Sequence, residues 1–99
     1  SLLDIAVNKV FTICQNPRSR DFLDLYLILK AKPDWKIKEL MQKAQAKFDH
    51  YIDPLQLSAQ FIKANLLKDY PKMITQITQE EWQRFFMDEA KKLSVGKLE

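Results

Sequence analysis

An all-α fold, one compact domain of about five helices, is what this sequence encodes on the strength of its glycine content and its hydrophobic spacing. Glycine occurs once, at Gly96, in 99 residues, where average usage of about 7% would place about seven. Tight two-residue hairpin turns lean on glycine, so a β-rich fold is disfavoured. Apolar residues recur three and four positions apart along most of the chain, the period of one helix face. The content, 46% hydrophobic and 29% charged, is that of a globular domain with one core.

The first helix runs to about Gln15, with Asp4 as its expected N-cap. Ile5, Val10, Phe11, Ile13 and Cys14 are its apolar residues. Asn16-Pro17 ends it, because proline pushes the preceding residue out of helical geometry. The second helix spans about Arg20 to Lys30 and is apolar from Phe22 to Leu29 except at Asp24. A helix that is hydrophobic all round belongs in the middle of its domain. After the turn Lys32-Pro33-Asp34, a third helix runs from about Ile37 to Phe48 with Leu40, Met41, Ala44 and Phe48 on one face. Asp53-Pro54 reads as a cap followed by a first-turn proline, opening a fourth helix that reaches about Leu67. Residues 68–77 form a loop with Met73 and Ile74 as apolar anchors. Thr78 and Glu81 make a capping box for a fifth helix that runs to about Leu93, before a left-handed cap at Gly96. Trp82, Phe85, Phe86, Ala90 and Leu93 are its apolar stripe.

Composition also excludes functions. Without further glycine there is no P-loop, dinucleotide fingerprint or nucleophile elbow. A single histidine, His50, rules out a multi-histidine metal centre, and a single cysteine, Cys14, rules out an internal disulfide. Cys14 lies among apolar residues and reads as an inert buried thiol. Asp49-His50-x-x-Asp53 has the residue types of a metal site, but it reads more simply as a polar loop ending in a helix cap. Uncharged runs such as Val10 to Pro17 fall far short of the roughly 20 apolar residues of a membrane span. No signal peptide is visible, so the chain is expected in the cytoplasm. It reads as a piece of a longer protein, residues 1–97 being the domain and 98–99 a tag-linker remnant.

One constellation poses an electrostatic problem. In a central second helix, Asp21 and Asp24 lose water, and an unpaired carboxylate there costs several kcal/mol. The cations nearest in sequence are Lys9, Arg18 and Arg20. Antiparallel packing of the first two helices brings Lys9 toward Asp24 and the loop arginines toward Asp21. This cluster reads in two ways. It is a structural ion-pair network, or it is the rim of a site that handles phosphate, with lysine as a point charge and arginine as a fork. A net charge of +3 permits weak attraction to nucleic acid. Lys36, Lys38, Lys43, Lys47, Lys63 and Lys68, with Trp35 and Tyr51, are either solvated helix faces or a nucleic-acid surface with stacking rings.

The stretch DIAVNKVFTICQNPRSRDFLDLYLILK, Asp4 to Lys30, resembles the C-terminal motif of the AbiEii/AbiGii-type nucleotidyltransferases of abortive-infection and type IV toxin–antitoxin systems. The matching residues are Asp4, Lys9, Arg18, Arg20, Asp21, Asp24, Leu25 and Tyr26. KIKELMQKAQAKF, DPLQLSAQFIKANL and EEWQRFFMDEAKKL resemble the helices that follow, more loosely. The resemblance implies an enzyme in two parts. An α/β palm carries a Gly-Ser motif and paired aspartates for Mg²⁺, and a helical part completes the site for transfer from a nucleoside triphosphate to an acceptor such as tRNA. It implies catalytic roles for Lys9 and Asp21 and supporting roles for Arg18, Arg20 and Asp24. The chain has no Asp-x-Asp and no Gly-Ser, so it is expected to be the helical half, silent without its palm, with an antitoxin as a further partner. A non-catalytic helical interaction module is the alternative.

Overall fold

The computed structural model describes residues 1–66 and 79–98, with the side chains of 65, 79 and 96–98 left aside. Helices are the regular elements of the described residues, with no strand among them. Helix α1 is Leu2–Gln15, α2 Ser19–Ala31, α3 Ile37–Phe48, α4 Pro54–Ile62 and α5 Gln79–Leu98, and a 3-10 turn, Lys63–Asn65, follows α4.

The elements form largely where local chemistry places them, with corrections at their ends. Ser1, not Asp4, caps α1: its Oγ accepts the Asp4 N–H, and Asp4 sits in the first turn, where the helix dipole favours an acid. Asp53 caps α4 through the Leu55 N–H, with Pro54 in the first helical position as expected. Helix α4 ends at Ile62 in the 3-10 turn rather than continuing to Leu67. Helix α5 runs past Leu93 to Leu98, so Gly96 lies inside it and is not a left-handed cap. The left-handed position is Asp49, which ends α3 with φ of 48°. The loop 68–77 with Met73 and Ile74, the Thr78 cap and Lys68 lie outside the described residues.

Packing follows the apolar faces. Helix α1 lies against α2, α3 and α4, and the most extensive contact is α4 against α5. Phe22 of α2 is the hub of an aromatic cluster, with ring centroids 6.1 Å from Trp82, 5.1 Å from Phe86 and 6.4 Å from Phe61. Trp82 and Phe86 are buried core residues, whereas Phe85 is only partly buried, its ring edge-on to Tyr26. Helix α2 is not enclosed all round. Phe22, Leu25, Tyr26, Ile28 and Leu29 are buried, but Leu27 is exposed and Asp24 half-buried. Positions 20, 24, 27 and 31 follow one another along a solvent-facing stripe. That stripe relieves the desolvation expected of a fully enclosed α2.

Polar side chains close gaps between elements. Gln60 of α4 donates through Nε2 to the carbonyls of Ile13 and Cys14, at 3.0 and 3.2 Å. These belong to the last turn of α1, whose carbonyls have no partner within the helix. The Ser58 hydroxyl donates to the Ala90 carbonyl at 2.9 Å and tethers α4 to α5. Gln45 Oε1 accepts the Ile52 N–H at 2.8 Å and shapes the α3–α4 connection.

Candidate active site: a lysine between two aspartates

The α1–α2 loop is short and the two helices are in contact. This arrangement brings Lys9, from the middle of α1, to the first turns of α2. Its Nζ lies 3.2 Å from Asp21 Oδ1 and 3.1 Å from Asp24 Oδ2. Asp21 and Asp24 are three residues apart, so one ammonium reaches both. The expected approach of Lys9 to Asp24 is therefore present, and Asp21 joins it.

Asp21 is held a second time. Its Oδ2 accepts the Arg18 backbone N–H at 3.1 Å, half of a capping box at the start of α2. The loop arginine thus meets Asp21 through its backbone, not through its guanidinium as charge pairing had suggested. Arg20 turns to the other acid: its Nε lies 3.8 Å from Asp24 Oδ2, a long and exposed pair. Such a contact contributes little to stability.

Water still reaches the cluster. The side chains of Lys9, Asp21 and Asp24 keep 25%, 14% and 32% of their exposure, so they are neither open nor sealed. Burial pulls the Lys9 pKa down. The hydrogen bonds and negative charge of Asp24 and Asp21 outweigh it, and the net shift is upward. Lys9 is a firmly protonated cation at neutral pH, suited to neutralising an anion and unsuited to acting as a base.

A magnesium ion does not fit these residues. The ammonium of Lys9 occupies the position between the two carboxylates that a cation would take. Among the described residues, no group of three or more His, Cys, Asp or Glu could hold a metal. At the other candidate, Asp49 ends α3, the His50 ring stands edge-on to Phe11 at 5.9 Å, and Asp53 caps α4. All three residues are thereby placed by structural contacts. Burial pushes the Cys14 thiol up to about 11, which leaves almost no thiolate at neutral pH.

None of the other described lysines pairs with Asp21 or Asp24. Lys47 Nζ donates to Asn8 Oδ1 at 2.8 Å and lies 5.4 Å from the centre of the Phe48 ring. Lys36 donates to the Pro33 carbonyl, and Lys38, Lys43 and Lys63 are exposed. Tyr51 is exposed, while Trp35 is partly buried with Lys32 Nζ 5.9 Å from its ring centre. Sequence reasoning missed Gln60 and Gln45, because an isolated glutamine carries no signal of the distant backbone it will meet.

No helix among the described residues is long and apolar enough to cross a membrane. Comparison with curated proteins and with solved structures found no match. The family model described as "Nucleotidyl transferase AbiEii toxin, Type IV TA system" matches residues 1–93. That span includes the lysine, both aspartates and all five helices but for the end of the last. The chain belongs to the AbiEii nucleotidyl transferase toxin family of type IV toxin–antitoxin systems.

Proposed function

We propose that this domain is the C-terminal helical part of a nucleotidyl transferase toxin, and that it supplies Lys9 and Asp21 to a site completed by an α/β palm. The convergence of Lys9 on Asp21 and Asp24, still reached by water, is the observation that supports this reading. Two carboxylates hold the ammonium in one place, so its charge is positioned before a substrate arrives. Lys9 and Arg20 balance the charge of Asp21 and Asp24, and the exposed Arg18 follows in the loop next to Asp21 as a further cation for the phosphates of a nucleoside triphosphate. Asp21 is the more enclosed acid and is fixed by the Arg18 N–H, so it is the better placed to orient an acceptor hydroxyl. Asp24 and Arg20 support Lys9 from the solvent side.

Divalent metal chemistry is assigned to the palm, because Lys9 fills the space between this domain's own carboxylates. The acceptor is a nucleic acid such as tRNA, approached by a domain of net charge +3. An antitoxin is the regulatory partner, and the cytoplasm is the working compartment.

A second reading has its own support. Asp21 is committed to both Lys9 and the Arg18 N–H, as in an ion-pair network that only joins α1 to α2. A labelling assay with the full-length protein, nucleoside triphosphates and tRNA separates the two. Lys9→Met and Asp21→Asn each lower nucleotide transfer by about 10²-fold or more while the domain stays helical by circular dichroism. Wild-type transfer by both folded variants would leave the ion-pair network as the role of the cluster.

A further inference from the structure

A cavity opens whose lining includes none of Lys9, Asp21 and Asp24. It is a cleft of about 510 Å³ near the C-terminal end of α2, bounded by the turn after it, the start of α3, Pro54 of α4, and α5. Leu29, Met41 and Leu93 line its apolar part, with Trp35 and Phe85 as aromatic walls. Lys36, Lys38 and Lys92 stand among the same lining residues. The acid there, Glu89, lies 3.6 Å from Lys92. Lys36 meets only the Pro33 carbonyl at 3.4 Å, and Lys38 has no ion pair or hydrogen bond among the described residues.

Volume and chemistry together define what fits. Small-molecule sites run from about 300 to 1,000 Å³ and are mostly apolar with a few placed polar groups. The cleft has that size and that lining. An apolar body would enter beside Trp35 and Phe85, releasing water from apolar wall. The charge left at the rim is positive, since three lysines face one glutamate that is already paired. A neutral or cationic ligand would leave that charge unanswered.

We propose that this cleft binds a small amphipathic anion: a flat or short-chain apolar body carrying one carboxylate or phosphate that meets Lys38 and Lys36. The site is separate from the nucleotidyl transfer reading and does not depend on it. Asp24 and Leu29 stand five residues apart on α2, about 7.5 Å along the helix axis and roughly 140° apart around it.

The probe is 2-naphthoate, with the neutral 2-naphthalenemethanol as its isostere, titrated into ¹⁵N-labelled protein. Naphthoate is expected to shift the Trp35 indole N–H and the backbone signals of Ile37, Lys38 and Met41. It is also expected to bind at least 3-fold more tightly than the alcohol. Lys38→Glu combined with Lys36→Glu should remove that preference and leave alcohol binding unchanged, so a folding defect is separable from a charge effect. Met41→Trp fills the cleft and should weaken both compounds. Equal affinity for acid and alcohol in the wild-type protein would overturn the anion assignment. Shifts confined to residues outside the cleft would overturn the site. Tighter binding of a short single-stranded RNA than of naphthoate, at the same residues, would replace the proposal with a nucleic-acid surface.

Discussion

Lys9 shows how one side chain resolves a conflict in the sequence around it. A lysine in the middle of α1 and two acids in the first half of α2 would each lose hydration singly. Together they form a charge-assisted cluster that keeps some water. Because solvent screens it, its contribution to stability is about 1 kcal/mol rather than the several of a sealed pair. Lys9→Met should lower the stability from urea unfolding by about that amount at neutral pH. The pH dependence has a definite sign. The folded state raises the Lys9 pKa, so this stabilisation is complete below the ordinary value of 10.5. It is lost as pH climbs through the raised value. The difference between wild type and Lys9→Met should therefore shrink in strongly alkaline urea titrations. A constant difference across that range would assign the effect to side-chain packing instead of charge.

The helices depend on one another for their ends. The last turn of α1 leaves carbonyls without intrahelical partners, and Gln60 of α4 answers two of them from across the core. Gln83 of α5 does the same for the 3-10 turn, donating to the Ala64 carbonyl at 3.0 Å. Gln60→Leu keeps the side-chain bulk but strips the donors from two carbonyls. It should cost about 1–3 kcal/mol, the range for a buried polar group left unsatisfied. Urea unfolding measures the loss, and amide exchange should quicken at the C-terminal end of α1. Unchanged exchange there would mean that water replaces the glutamine.

Taken as a whole, the domain is held by an aromatic centre that draws on three helices. Phe22 comes from α2, Phe61 from α4, and Trp82 and Phe86 from α5. Helix α2 therefore bridges two duties. One face presents Asp21 and Asp24 to Lys9, and the other anchors the helix in the core. Phe22→Ala should cost about 3–5 kcal/mol, a large part of the 5–15 kcal/mol typical of a small domain. Calorimetry should show a lowered melting temperature, and the loosened α2 should also weaken the hold on Lys9. A melting temperature unchanged from wild type would remove Phe22 from the centre of the core.

Much of this was legible in the chain itself. Periodicity and scarce glycine determined the all-helical class, and local rules placed α3 and the start of α4, because those signals act within one or two turns. The pairing of Lys9 with Asp24 followed from charge and antiparallel connection, and the resemblance over Asp4 to Lys30 pointed to the family that the match over residues 1–93 shows. Other features needed the folded chain. The solvent-facing stripe of α2, the reach of Gln60 and the cleft beside Trp35 each depend on residues distant in sequence. Gly96 shows the same limit: a residue that commonly stops a helix lies within one here. Local sequence specifies short-range hydrogen bonding and which face is apolar. Only tertiary packing decides how much of that face is covered, and therefore which charges keep their water.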